Sequence, residues 1–263
     1  MLARALKLLH FLDTLKRKNK MNSLQKMQLM YILPNLFTAA SAFLGVISII
    51  SSIQGNYFKA IIYIILSLIL DGLDGRVARL TKTTSKFGVE FDSLADLVAF
   101  GVAPAILFYL TVGAKFGRFG ALIAAMFVVF GAIRLARFNV TTGTYEPNVF
   151  IGLPIPSAAI IGVLWVGVYL KHEFLYGFEW CLILLEAVLA ILMVSNIRYP
   201  SFKKMNLKQT HVMRILVALV VVFSMLYLYP YESATFFMSV YMLYGIIRAA
   251  IMFSKNHKKK ESE

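Results

Sequence analysis

Residues 71–101 read DGLDGRVARLTKTTSKFGVEFDSLADLVAFG. The 263-residue chain has only thirteen acidic residues, and five of them, Asp71, Asp74, Glu90, Asp92 and Asp96, fall inside this stretch. Asp71 and Asp74 are three apart and Asp92 and Asp96 four apart, so on a helix each pair points to one side. Glu90 lies off that face. An apolar run ends on the first pair and another begins beside the second, which puts both pairs at the same ends of successive helices joined by a short basic loop. Four carboxylates in a poorly hydrated place repel one another, and divalent cations relieve that repulsion. Oxygen-only ligands suit hard ions such as Mg²⁺ or Mn²⁺, and two such ions sharing four carboxylates make a site suited to phosphoryl transfer. Small residues keep the same register: Gly75 follows Asp71 by four, Ala78 follows Asp74 by four, and Gly88 precedes Asp92 by four. Missing side chains there leave room for a ligand. Small residues also pack membrane helices, but their register with the carboxylates favours a site.

The rest of the chain places that stripe at a membrane. Hydrophobic residues make up 59% and the mean hydropathy is +0.74, which excludes an ordinary soluble enzyme. A bilayer-crossing helix needs roughly 20 mostly apolar residues, and the sequence predicts an all-α polytopic membrane protein with about eight of them. They fall near 32–53, 58–76, 93–113, 117–138, 155–170, 174–195, 212–230 and 234–253. Residues 31–253 then form the membrane domain. Residues 1–30 form a basic segment, amphipathic like an interfacial helix over 1–20, and residues 254–263 a charged tail. A single cysteine, Cys181, excludes intrachain disulfides. Lys and Arg outnumber Asp and Glu by 27 to 13. All but Lys59, Lys115, Arg118 and Lys171 lie on one side of these spans, so both termini and the acidic stripe face the cytoplasm. Because the basic residues border spans, no nucleic-acid partner is expected.

Eight positions fit the pattern D-x2-D-G-x2-A-R-x8-G-x3-D-x3-D: Asp71, Asp74, Gly75, Ala78, Arg79, Gly88, Asp92 and Asp96. Here the sequence resembles the CDP-alcohol phosphotransferase family. LPNLFTAAS (33–41), GVEFDSLADLVAFGVAPA (88–105), RLARFNV (134–140) and GLPIPSAA (152–159) resemble its phosphatidylserine synthase branch. The resemblance implies a six-helix membrane core, here with two C-terminal helices added, usually homodimeric and opening to the cytoplasm. It implies that Asp71, Asp74 and Asp92 hold one divalent cation, and Asp71, Asp92 and Asp96 a second. Asp96 would also be the general base, and Gly75, Ala78 and Arg79 would lie against the CDP moiety. The reaction implied is attack of the L-serine hydroxyl on CDP-diacylglycerol, with CMP leaving.

Further candidates come from the residues themselves. Asn35 and Thr38 are three apart near the cytoplasmic end of the first span, where they either bond nucleotide or serve the helix start. Arg134 and Arg137, about one turn apart at the end of span four, and more weakly Lys86, are placed to meet an acceptor carboxylate or a phosphate. Snorkelling anchorage is the plainer role for the two arginines. Glu186 is an intramembrane acid without an evident partner. Two other readings remain open: the same family with a different acceptor, glycerol 3-phosphate or an inositol phosphate, and a divalent-cation transporter using the four aspartates.

Overall fold

The computed structural model describes residues 32–81, 85–141, 149–200 and 212–260. The expected interfacial helix at 1–20 and the last residues of the tail, 261–263, lie outside them. Helix α1 (Ile32–Ile53) turns at Gly55 (φ 78°) into α2 (Tyr57–Thr81). Helix α3 (Lys86–Asp96) runs through a π-helical turn (Leu97–Val102) into α4 (Ala103–Thr111), making one continuous span. Then follow α5 (Arg118–Thr141), α6 (Ile155–Lys171), α7 (Glu179–Val194), α8 (Val212–Leu228) and α9 (Pro230–Lys260). Helix α9 continues from the last apolar run into the charged segment without a break at 254.

Among the described residues, three helical stretches are by length and composition able to cross a membrane: Ile32–Ile53, Lys86–Thr111 and Arg118–Thr141. Ile155–Lys171 and Leu216–Leu228 are shorter apolar helices. Helix α2 is long enough, but Asp71, Asp74, Arg76 and Arg79 charge its last turns. The described residues are all-α apart from one feature the sequence does not announce. Val149–Ile151 (β1) pairs antiparallel with Arg198–Pro200 (β2), Phe150 opposite Tyr199. Strands of three residues, drawn from loops far apart in the chain, leave no periodic trace.

Helix contacts use small and hydroxyl residues, as membrane helices do. Ser41 and Ser67 each donate to the other's carbonyl, at 3.2 and 3.0 Å, and Ser48 donates to Ala60 O at 2.9 Å. Gly45 lets α1 close on the π turn, since a Cβ there would come within 2.8 Å of Ala99 Cα. The core is centred on α6, whose Ile155, Ala158, Ala159 and Ile161 are wholly buried, with α4, α5, α7 and α9 around it. Trp165 Nε1 donates to Ser239 Oγ at 3.1 Å, holding α9 to α6. Large apolar side chains such as Phe43, Ile62, Leu122 and Phe223 face outward, an arrangement suited to lipid rather than water.

Candidate metal and nucleotide site

Asp71 and Asp74 come from the end of α2, Asp92 and Asp96 from α3. Ser85 starts α3 by accepting a 2.9 Å hydrogen bond from Gly88 N, a helix cap that begins the helix seven residues before the expected span and so puts both aspartates on helical turns. Carboxylate oxygens of Asp71, Asp74 and Asp92 lie within 4.8 Å of one another. Asp96 joins the group through a hydrogen-bonding contact with Asp71. Its neighbours in sequence are the π turn, a form of helix that recurs at functional sites. Asn139 on α5 fixes the rotation of α3: its Nδ2 donates to Ser93 Oγ at 3.0 Å and to Glu90 Oε2 at 3.1 Å.

The cluster fits a hard divalent cation. All its donors are oxygens, and Asp92 Oδ1 is buried with no hydrogen-bond partner among the described residues. A carboxylate oxygen left this way beside further carboxylates needs a positive ligand. Asp74, only 6% exposed, is aimed by α1: Thr38 Oγ1 donates to its Oδ2 at 2.6 Å.

A cavity of about 150 Å³ opens beside the carboxylates. Asp74, Asp92, Gly75, Ala78, Arg79, Gly88, Asn35 and Thr38 line it. Pro34, Ser85 and Val89 also line it and were not singled out from sequence; for Ser85, a helix-start serine three residues before Gly88 was the available signal. The glycines keep the cavity open. A Cβ on Gly75 would stand 3.4 Å from Arg79 Nη1, and one on Gly88 would stand 3.1 Å from Ser85 Oγ and 3.3 Å from Asn35 Oδ1. The volume, polar rim and cation at Arg79 suit a nucleotide phosphate close to metal-bound carboxylates.

The other candidates fall elsewhere. Lys86 does not line the cavity. Arg134 is buried at 7% exposure, within electrostatic reach of Asp96 and Asp71, with its guanidinium 5.4 Å from the Phe138 ring centre. Arg137 points another way. It donates to four carbonyls, Val194 O and Ile151 O at 3.0 Å and Met193 O and Ser195 O at 3.2 Å, so it ties α5 to the end of α7 and to β1. Glu186 is buried between α6 and α7, where a Cβ on Gly162 would meet its Oε2 at 2.9 Å. It is remote from the carboxylate cluster in the contacts it makes.

Comparison with known proteins gives the family. Residues 31–192 match the profile of the CDP-alcohol phosphatidyltransferase family, a range that contains all four aspartates. The chain is 49% identical over 233 residues to a CDP-diacylglycerol–serine O-phosphatidyltransferase of Helicobacter pylori, covering 86% of this chain and 97% of that one. It is 38% identical over 178 residues to an archaetidylserine synthase of Methanothermobacter thermautotrophicus, covering 66% and 72%. It is 34% identical over 175 residues to a CDP-diacylglycerol–serine O-phosphatidyltransferase of Bacillus subtilis, covering 66% and 93%. With this profile match and these relatives, the chain belongs to the CDP-alcohol phosphatidyltransferase family.

Proposed function

We propose that the protein is an integral membrane phosphatidyltransferase that makes phosphatidylserine and CMP from CDP-diacylglycerol and L-serine. The observation that carries this reading is the convergence of Asp71, Asp74 and Asp92 on one another, with Asp74 and Asp92 lining the Arg79 cavity, in a chain similar along most of its length to serine phosphatidyltransferases. The serine oxygen bonds to the phosphorus that carries the diacylglycerol arm, the bond from that phosphorus to the bridging oxygen breaks, and CMP leaves. Asp71, Asp74, Asp92 and Asp96 would hold two divalent cations, Mn²⁺ or Mg²⁺, which when bound neutralise the diphosphate and acidify the acceptor hydroxyl. Arg79 meets a nucleotide phosphate, and Gly75, Ala78 and Gly88 let the nucleotide approach closely. Asn35 and Thr38 bound its far side. Asp96 takes the serine proton, a role its place between Asp71 and Arg134 suits.

Arg134 is the acceptor anchor in this reading. Its guanidinium, buried at 7% exposure within electrostatic reach of Asp96 and Asp71, suits a carboxylate of the acceptor. Arg137 is spent on carbonyls and Lys86 stands off the cavity, so the acceptor end offers one buried cation. That matches a singly charged carboxylate better than a phosphate. The basic residues bordering the carboxylate end support a reading in which that end and both termini face the cytoplasm at the cytoplasmic membrane, with eight spans and, by family resemblance, a homodimer.

The test is CMP release by purified protein in detergent with Mn²⁺ or Mg²⁺, with and without L-serine, beside Asp96→Asn. Serine-dependent release that disappears in the variant supports reaction and base together. Release only with glycerol 3-phosphate would overturn the acceptor, and metal flux in proteoliposomes without lipid turnover would overturn the enzyme.

A further inference from the structure

Helix α9 lies beyond residues 31–192, the part of the chain that defines the family, yet it reaches the catalytic end. It packs on α6 and on β2. On β2, Tyr199 is wholly buried. A Cβ on Gly245 would fall inside the Tyr199 ring, so the glycine is what allows α9 to close over that tyrosine. The next turn back on α9 carries Tyr241, whose ring centre is 5.7 Å from that of Tyr199 and which lies within electrostatic reach of Arg134. Three polar groups therefore converge from three elements: the Arg134 guanidinium from α5, the Tyr241 phenol from α9 and the Tyr199 phenol from β2.

One of the three lacks a protein partner: the Tyr199 hydroxyl is buried with no hydrogen bond among the described residues. The Arg134 guanidinium lies over the Phe138 ring and within electrostatic reach of Asp96 and Asp71. A buried phenol left unsatisfied is costly unless a ligand completes it, and a buried guanidinium nearby favours an anionic one. Burial pushes the Tyr199 phenol up to about 12, so it stays a neutral donor. One cation with neutral hydroxyl donors beside it suits a carboxylate carrying a single charge. A doubly charged phosphate would ask for a second cation, and Arg137 is already engaged.

We propose that Tyr241 and Tyr199 complete the acceptor subsite, joining Arg134 to receive the carboxylate of a small zwitterionic alcohol and selecting against acceptors that bring a phosphate. This rests on the phosphatidyltransferase reading and adds to it a specificity element supplied by α9 and β2. Gly245 and the Tyr199 ring hold Tyr241 in place.

Full-length protein in detergent tests this, with Tyr241→Phe and Tyr199→Phe, each removing one hydroxyl and no ring. We expect Tyr241→Phe to raise the KM for L-serine about tenfold, the usual worth of a hydrogen bond to a charged group, with a similar or smaller rise for Tyr199→Phe. The KM for CDP-diacylglycerol and kcat at saturating serine should stay within about twofold, as for a contact that binds ground and transition states alike. In the absence of CDP-diacylglycerol, millimolar L-serine should raise the thermal midpoint of the wild type and not of the variants. An unchanged serine KM in both variants, or parallel rises for both substrates with a lowered midpoint, overturns the subsite while leaving serine-dependent CMP release in the wild type intact. Absence of that release in the wild type overturns the underlying reading as well.

Discussion

Thr38 on α1 donates a 2.6 Å hydrogen bond to Asp74 Oδ2 on α2. The hydroxyl also lies 3.2 Å from Pro34 O in its own helix, so it is held from both sides. A carboxylate that must accept a metal is oriented this way by a neighbour that does not itself touch the ion. Removing such a neighbour weakens metal binding roughly 10- to 100-fold in comparable sites. Thr38→Val keeps the volume and loses the donor. The concentration of Mn²⁺ or Mg²⁺ for half-maximal CMP release should rise about tenfold or more, with activity recovered at saturating metal, while Thr38→Ser stays near wild type. An unchanged metal requirement in Thr38→Val would show that Asp74 needs no orienting from α1.

The glycines of α2 and α3 differ from one another in a way that a substitution series reads directly. Nothing lies within 4 Å of a Cβ built on Gly72, whereas one on Gly75 meets Arg79 and one on Gly88 meets Ser85 and Asn35. Gly72→Ala gains helix propensity, up to about 1 kcal/mol, and leaves kinetics alone. Gly75→Ala and Gly88→Ala crowd the nucleotide cavity. Each should raise the KM for CDP-diacylglycerol several-fold and leave that for L-serine nearly unchanged. Equal effects at Gly72 and Gly75 would mean that these glycines serve helix packing and not the ligand.

How much of this was legible in the sequence depends on how local each signal is. The aspartate pairs repeat at helical spacing, so their common face follows from the chain alone, as does the register of Gly75, Ala78 and Gly88 with them. The apolar runs locate the helices but not all their ends: Ser85 caps a helix that starts at Lys86, seven residues before the expected span, and α9 runs seven residues past the end of its own expected span to Lys260. What sequence could not show are contacts between distant segments. Arg137 looks like an acceptor ligand beside Arg134, yet its partners are carbonyls up to 58 positions away, and a carbonyl carries no residue identity to recognise. The pairing of β1 with β2 and the arrival of Tyr241 beside Arg134 are illegible for the same reason.

The four carbonyls on Arg137 make a second kind of prediction, about stability. A planar fork serves several acceptors at once, and an ammonium cannot reproduce it. Arg137→Lys and Arg137→Ala leave carbonyls at the end of α7 without a partner, a loss on the order of 2–4 kcal/mol for the alanine variant. The thermal midpoint in detergent should fall by several degrees in both, more in the alanine variant. The KM for L-serine measured well below that midpoint should move little. A large serine effect without loss of stability would return Arg137 to the acceptor site.

At the opposite end of the bundle, Glu232 in the first turn of α9 meets Lys171 Nζ at 2.7 Å and His172 Nε2 at 2.8 Å. The hydrogen bond from Lys171 holds its carboxyl down at about 2, against some burial that works the other way. A carboxyl lowered on folding stabilises the folded state above its unfolded value, near 4.3, and loses that contribution as pH falls through its folded value. The wild type should therefore outlast Glu232→Gln in thermal midpoint by a constant margin above about pH 5, with the margin closing between about pH 4 and pH 2. Because Lys171 is 40% and Glu232 27% exposed, the margin is small and shrinks with added salt. Enzyme turnover at neutral pH should be the same in both, since α9 reaches the acceptor end through Tyr241 and not through this ion pair. A margin that stays constant down to pH 2 would mean that Glu232 holds α9 by packing, without its charge.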